Sequence, residues 1–330
     1  MTNDDGSRLI FGCMGLGGDW GTGPLEAADV ATAHAAVDAA LEAGITDFDH
    51  ADIYTRGKAE EAFGRVLAER PELRAGIRLQ TKCGIVLGGD GREARYDSSG
   101  GSIRARVEES LRRLGTDRID TLLIHRPDPL ATAAEIAGAF TRLRDEGKVR
   151  RLGVSNMSAE QMRHLGAELD EPLAVNQLEM SLHRRDWLES GVLVNHPEGA
   201  DISFPRGTLE HCAREGVELQ AWGSLAQGRY SGRPAASDGG AVRTETDGAP
   251  VDTDAEAAQR VAELAEDKRC SRESVVLGWL MRHPARIRPV VGTSNPARIA
   301  ACADAGRVAA ELTGDEWYSL WVAARGRPLP

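Results

Sequence analysis

Apolar residues along the chain fall into short runs, separated by longer stretches in which they recur every three or four positions. The short runs occupy residues 10–16, 46–49, 77–82, 121–125, 152–155, 174–177, 218–222 and 289–292, and each reads as a strand. Between them the period is helical. Val30, Ala33, Val37 and Leu41 share one face, as do Ile103, Val107, Leu111 and Leu114, and then Ile136, Phe140 and Leu143. Ser271 has the character of an N-cap for a helix over residues 272–283, with Glu273 in its first turn. Eight strands, each followed by helical sequence, predict an α/β protein folded as a closed parallel (β/α)8 barrel, the TIM-barrel architecture. No internal boundary is visible, so residues 1–330 are expected to form one domain. An open dinucleotide-binding sheet is disfavoured: Gly15, Gly17 and Gly18 follow the first strand without the Gly-x-Gly-x-x-Gly spacing.

Three stretches are too long for ordinary connections. Residues 84–99 are glycine-rich and polar, residues 182–207 follow the sixth strand, and residues 227–253 are rich in Gly, Ala, Asp and Thr. All three follow strands and are expected on the C-terminal face of the barrel, where such folds bind ligands. The competing reading is a set of surface insertions.

Composition narrows the partners. The chain has 330 residues, 41% hydrophobic and 28% charged, as in soluble globular proteins, and a formal net charge of -11. That balance disfavours a nucleic-acid partner, which needs clustered Lys and Arg. The five cysteines are odd in number and lack Cys-x-x-Cys spacing, so neither a disulfide framework nor a metal site is expected. A reducing, cytoplasmic location fits them. The acidic N-terminus has no apolar signal-peptide core, and no apolar run is long enough to span a membrane.

Three strands end in proton-handling groups. One of them delivers Asp49, with Tyr54 in the loop beyond it, and two others deliver Lys82 and His125. A phenol, whose ordinary pKa is about 10, is a poor donor to a carbonyl at neutral pH. A nearby ammonium favours phenolate and lowers that pKa, and a carboxylate keeps the ammonium charged and fixed. An imidazole can hydrogen-bond the substrate oxygen or relay a proton. The set suits protonation of a carbonyl oxygen while something else attacks the carbon. Taken singly, each residue also has a structural reading: a strand-end cap, a solvated lysine, a rim tyrosine, a core histidine. The spacings alone leave isomerases and lyases open.

The same residues sit in motifs that resemble those of the aldo-keto reductase family. They are Gly44-x-x-x-Phe-Asp-His-Ala-Asp-x-Tyr54, Thr81-Lys-Cys-Gly84, Leu122-Leu-Ile-His-Arg-Pro-Asp128, Gly153-Val-Ser-Asn156, Val175-Asn-Gln177, Ala221-Trp-Gly-Ser-Leu225 and Val291-Gly-Thr-Ser-Asn-Pro-Ala-Arg298. They fall in family order over residues 9–310. The opening Phe11-Gly-Cys-Met-Gly-Leu-Gly-Gly-Asp-Trp20 resembles the bacterial predicted-oxidoreductase branch related to aryl-alcohol dehydrogenases.

The resemblance implies a barrel that binds NADP(H) and reversibly reduces an aldehyde or ketone to an alcohol. It implies Tyr54 as general acid, tuned by Lys82 and Asp49, with His125 orienting the carbonyl. It also implies that Ser155, Asn156 and Gln177 hold the nicotinamide carboxamide, whose planar amide needs both donors and acceptors. Trp222 would stack on the nicotinamide, and Ser224 and Leu225 would lie near the pyrophosphate. Gly292, Thr293, Ser294 and Arg298 would clamp the adenosine 2′-phosphate, Arg298 by two parallel hydrogen bonds, with free amides of the last barrel helix adding to the anion site. Two places depart from the pattern. Gly292 stands where many members carry lysine, and Ala301 and Cys302 stand where several carry Glu and Asn near the adenine.

Trp20 and Trp187 are candidates for an aromatic substrate wall suited to aryl aldehydes, quinone-like compounds or a flat sugar-like ring; core packing is the alternative for both. His50, Asp52 and Arg126 flank catalytic positions and are expected to support them. The expected partner is a small carbonyl compound, with no membrane or nucleic acid, and the protein a monomer or weak homo-oligomer. A cofactor-binding redox sensor and a biosynthetic enzyme using the same site for dehydration or rearrangement are the competing functions.

Overall fold

The eight runs do close on themselves. A computed structural model describes residues 7–89, 91–232 and 251–330. In chain order its strands are β1 (Ile10–Gly12), β2 (Asp47–Asp49), β3 (Arg78–Cys83), β4 (Ile85–Val86), β5 (Arg95–Tyr96), β6 (Ile119–Ile124), β7 (Val149–Ser155), β8 (Val175–Glu179), β9 (Glu218–Trp222) and β10 (Arg288–Val291). Eight of them form a closed barrel in the order β1-β10-β9-β8-β7-β6-β3-β2, every neighbouring pair parallel.

The helices read from the period are Ala27–Glu42, Gly100–Leu114 and Ala133–Asp145, and their apolar stripes face the barrel. Ser271 caps Arg272–Arg282, its Oγ accepting the Ser274 amide at 3.0 Å.

Three local expectations change. β1 stops at Gly12, and Cys13–Gly15 turn as a 3-10 helix; a side chain at Gly12 would meet Val290 Cγ1 at 2.9 Å, so this strand end sits against β10. The 84–99 stretch contains the antiparallel hairpin β4–β5, whose two-residue strands are too short to leave an alternating pattern. The 182–207 stretch contains the helix Asp186–Val192 and a 3-10 turn, Pro197–Gly199. Of the 227–253 stretch, residues 233–250 lie outside the described residues, and the helix Val251–Asp267 begins after them. Among the described residues no helix is long and apolar enough to cross a membrane.

Barrels of this class usually fill their lumen with branched apolar side chains. Here the lumen is strongly polar. At the N-terminal end Asp47 accepts from Arg78 at 2.5 Å and from Arg288 at 2.6 Å, and Arg288 reaches Glu218 at 3.2 Å. One layer above, Gln80 donates to Asp49 at 2.6 Å and to Gln220 at 2.8 Å, and Gln177 donates to Gln220 at 3.0 Å. The apolar core therefore lies outside the barrel, between strands and helices, where Phe48, Phe63, Leu122 and Trp279 are buried.

The tightest contact in that layer is Gly64, on the helix Lys58–Glu69. A Cβ there would lie 2.0 Å from the Arg113 carbonyl oxygen, so the helix can only approach Gly100–Leu114 with glycine at the crossing. Gly64→Ala is expected to destabilise the fold by about 1–3 kcal/mol, the usual cost of forcing extra volume into a packed interface. Urea unfolding followed by circular dichroism measures it.

Candidate active site

β2, β3 and β6 end side by side, and their last inward-facing side chains meet. Lys82, 1% exposed, is the hub. Its Nζ donates to Asp49 Oδ2 at 2.7 Å, to the His50 carbonyl at 2.9 Å and to Tyr54 Oη at 2.9 Å. An ammonium has three N–H groups, and all three are used. Because Lys82 donates to the phenol oxygen, the phenol's own hydrogen remains available to another acceptor. The Tyr54 and His125 rings stand edge to face, their centroids 6.1 Å apart. The four residues named from the strand ends are thus brought together.

Burial sets the electrostatics. It works against the Lys82 ammonium, yet Asp49 and Tyr54 outweigh it and hold the amine above its ordinary range. Burial raises the Tyr54 phenol, and Lys82 only partly offsets this, so its net displacement is upward, opposite to what the ammonium alone would produce. Burial, then Lys82 and Arg126, push His125 well below the ordinary histidine range, so its ring is neutral. Its Nδ1 is buried with no hydrogen-bond partner.

The flanking residues support the site in different ways. His50 contributes its carbonyl to Lys82, while its imidazole packs edge-on against Phe63 with neither nitrogen bonded. Burial and Lys82 bring that ring down to about 3. Asp52 is buried; its amide donates to the Lys82 carbonyl at 3.0 Å and its carboxylate pairs with Arg106 at 2.5 Å.

The candidate cofactor residues line the next strand ends. Ser155 donates to the Gln177 carbonyl at 2.9 Å, and Asn156 donates to Ser155 Oγ at 2.8 Å and accepts from Trp222 Nε1 at 3.1 Å. Asn156 has a left-handed φ of 57°, which asparagine tolerates better than most residues. Ser224 is buried and donates to the Val290 carbonyl at 2.8 Å; Leu225 packs beside both halves of the core. Gly292, Thr293 and Ser294 follow β10, and nothing lies within 4 Å of a Cβ built on Gly292. The helix after them, Pro296–Ala300, is short, and Asn295 Oδ1 already accepts the Ala297 and Arg298 amides at 3.0 and 3.3 Å. The expected contribution of free helix amides is therefore much reduced. Cys302 is buried, its Sγ donating to the Arg298 carbonyl at 3.2 Å.

Of the two tryptophans, Trp20 stays half-buried on the loop after β1, its carbonyl accepting from Arg56 Nε at 2.8 Å. Trp187 does not share its setting. It is 1% exposed and packs edge-on against Trp279 and His283, which places it in the helix layer. The packing alternative describes it, because the residues after β8 fold into a helix that turns this ring inward.

Three residues that strand-end reasoning missed are Gln80, Gln220 and Glu179. The signal was the two-residue period of a strand. Gln80 shares a face with Lys82, Gln220 with Trp222, and Glu179 with Gln177. Gln80 and Gln220 connect Asp49 to Gln177, and so connect the proton-handling group to the candidate nicotinamide residues.

Comparison with known proteins agrees with this geometry. Residues 8–320 match the Aldo/keto reductase family. The chain is 36% identical over 331 residues to "Uncharacterized oxidoreductase YcsN" of Bacillus subtilis, covering 98% of this chain and 96% of that one. It is 34% identical over 332 residues to the "6-dehydroglucose reductase" of Agrobacterium fabrum, with 98% and 96% covered. A solved aldo-keto reductase from Klebsiella pneumoniae in complex with NADPH shares the fold, with a TM-score of 0.70 at 23% identity, covering 98% of this chain and 93% of that one. The chain belongs to the aldo/keto reductase family and is one of its oxidoreductases.

The Lys82–Asp49 pair is buried, so removing one partner leaves the other charge uncompensated. Lys82→Met is expected to destabilise the fold by about 3–5 kcal/mol, and adding Asp49→Asn to recover most of that loss. Denaturant unfolding of the two variants decides it: a double variant no more stable than Lys82→Met would mean that the unpaired Asp49 carboxylate is not the source of the loss.

Proposed function

We propose that this aldo/keto reductase family member uses NADPH to reduce an aldehyde or ketone to an alcohol, with Tyr54 as the proton donor. The reading is carried by one observation: Lys82 Nζ bridges Asp49 Oδ2 at 2.7 Å and Tyr54 Oη at 2.9 Å, leaving the phenol hydrogen for a substrate oxygen. His125 fills the second position on that oxygen. A neutral imidazole carries one ring hydrogen, and Nδ1 has no acceptor, so Nε2–H is the useful tautomer and donates to the carbonyl. NADPH, when bound, supplies hydride to the carbonyl carbon. Tyr54 gives its proton to the oxygen, the Lys82 ammonium stabilises the phenolate left behind, and solvent returns the proton.

The chain has a place for that cofactor. Gln177 uses Nε2 on Gln220, and its Oε1 accepts from no described group, which leaves an acceptor for a carboxamide beside Ser155 and Asn156. Trp222 stands next to them, held by Asn156. No group outside its chain neighbours crowds the backbone at Gly292, and Arg298, in the helix that follows Thr293 and Ser294, is the residue proposed to take the 2′-phosphate by two parallel hydrogen bonds.

The substrate reading is a hydroxylated aldehyde of sugar type. Trp20 offers a flat apolar face. Arg126, next to His125, and half-buried Glu179, beside Trp222 in the β8–β9 register, offer a donor and an acceptor for hydroxyl groups. The relative named 6-dehydroglucose reductase has the same chemistry in its name.

Tyr54→Phe is expected to lower carbonyl-dependent NADPH oxidation by at least about 100-fold while NADPH still quenches tryptophan fluorescence. A Phe variant with near-normal turnover would remove Tyr54 from the mechanism. With 6-dehydroglucose and benzaldehyde as rival substrates, kcat/KM is expected to favour the former; the reverse order would point to an aryl pocket. The pH dependence has a definite sign. The phenol sits above its ordinary value, so the protonated, donating form persists through neutral pH. Reduction should stay flat there and fall only in the alkaline range beyond about pH 10.

A further inference from the structure

The backbone that carries Tyr54 is strained. Thr55, Arg56 and Gly57 follow it with φ of 45°, 60° and 92°, three left-handed residues in a row, two of them not glycine. Such conformations are costly for residues other than glycine and persist only where the surroundings over-determine them. The determinants on the barrel side are visible: Thr55 Oγ1 donates to the Leu16 carbonyl at 2.9 Å, and Arg56 holds the Trp20 carbonyl.

A second set of contacts lies outside the barrel, among groups with no part in the proton chemistry. Arg113, near the end of the helix Gly100–Leu114, donates from Nη1 to the Asp52 carbonyl at 3.0 Å. The same nitrogen is 3.4 Å from Glu60 Oε2, a carboxylate with no exposed surface. Its guanidinium lies flat on Gly57, where a Cβ would come within 2.5 Å of it. Glu60 in turn accepts from Thr81 Oγ1 at 2.7 Å, and Thr81 immediately precedes Lys82. The Asp52 amide closes the circuit on the Lys82 carbonyl. A continuous ring of contacts therefore runs Lys82, Thr81, Glu60, Arg113, Asp52 and back to Lys82, with Asp52 two residues before Tyr54.

We propose that Arg113, working with the buried carboxylate of Glu60, is a positioning residue for proton transfer: it sets the Tyr54 phenol at hydrogen-bonding distance from the Lys82 ammonium. It touches neither substrate nor cofactor. The inference rests on Tyr54 being the proton donor, and the experiment separates the two claims. The charged and titratable groups facing the phenol are Lys82 from β3, Asp49 from β2, Cys13 after β1 and His125 after β6. Of these, Lys82 is the one that draws the phenol's pKa down, so a phenol displaced from it should titrate higher.

Arg113→Met, Arg113→Lys and Tyr54→Phe are compared by kcat for aldehyde reduction across the pH range, with NADPH affinity from fluorescence. Arg113→Met is expected to lower kcat roughly 10- to 100-fold, the scale of a small misplacement, with NADPH affinity kept within about two-fold. Its alkaline limb should move to higher pH by about half a unit or more. Arg113→Lys restores the charge toward Glu60 but not the two-way grip, and should fall between. If Arg113→Met does not fold, Glu60→Gln carries the test: it keeps an acceptor for Thr81 and removes one of the two carboxylates beside Arg113, leaving only Glu109 Oε1 at 3.0 Å from Nε, and the limb should move in the same direction. An unmoved limb in every folded variant, or kcat and NADPH affinity falling in parallel, would overturn the proposal and leave Arg113 merely structural. Normal turnover in Tyr54→Phe would instead overturn the proton-donor assignment.

Discussion

The Lys82 ammonium is the constraint around which the site is organised. An ion buried at the mouth of a barrel is costly unless every hydrogen finds an acceptor. Lys82 has three, all supplied by one six-residue stretch: the carboxylate at the end of β2, the carbonyl that follows it, and the phenol four residues further on. Satisfying Lys82 therefore fixes the path from Asp49 to Tyr54. It also requires Asp49 to be held, and Gln80 does that from the same strand as Lys82. The polarity of the lumen follows from this demand, because Gln80 needs its own partner and finds it in Gln220, which is shared with Gln177. The proton-handling end of the site and its candidate cofactor end are thus parts of one buried hydrogen-bond network.

Much of this is legible along the chain. Strand ends could be read because buried parallel strands are short apolar runs, and three of them end at or within one residue of Asp49, Lys82 and His125. Helix faces and the Ser271 cap followed from local rules that tertiary contacts did not override. What escaped was of two kinds. Strand-paired polar residues such as Gln80 and Gln220 look like solvated positions until the barrel closes and turns them inward. Loop residues escaped for the opposite reason: nothing local marks β4–β5 as a hairpin or turns Trp187 into the helix layer, since those outcomes depend on what packs against them. Arg113 belongs to this second group. On an amphipathic helix it reads as a surface charge, and its contact with the Asp52 carbonyl bridges 61 positions of sequence.

The strain after Tyr54 follows from where the phenol must go. β2 ends at Asp49 with its side chain directed into the lumen, and the chain must then leave the barrel, bring a tyrosine back over Lys82 and enter the helix Lys58–Glu69 within eight residues. A relaxed turn would let the phenol swing away. Three left-handed residues bend the chain sharply instead, and contacts on both sides of the barrel wall hold the bend. Side-chain contacts stabilise a backbone that its own torsions oppose, as expected where geometry matters more than local stability.

The upward displacement of the phenol looks at first like a poor design for an acid, but the direction of the reaction resolves it. In the proposed reduction the donor must be protonated when the carbonyl arrives, and burial favours that form of the phenol. What accelerates transfer is an interaction stronger in the transition state than before it. On the proposed mechanism, as the proton leaves, negative charge grows on Tyr54 Oη, 2.9 Å from an ammonium whose other hydrogens are already committed to Asp49 and His50. The attraction between Lys82 and the phenol is modest while the phenol is neutral and large once it is phenolate, because the ammonium is already fixed in place by Asp49 and His50 and has little to reorganise. A fully depressed pKa would draw on that same attraction before the substrate binds. Burial and the ammonium oppose each other in the resting enzyme so that the ammonium's contribution is felt mainly as the proton moves.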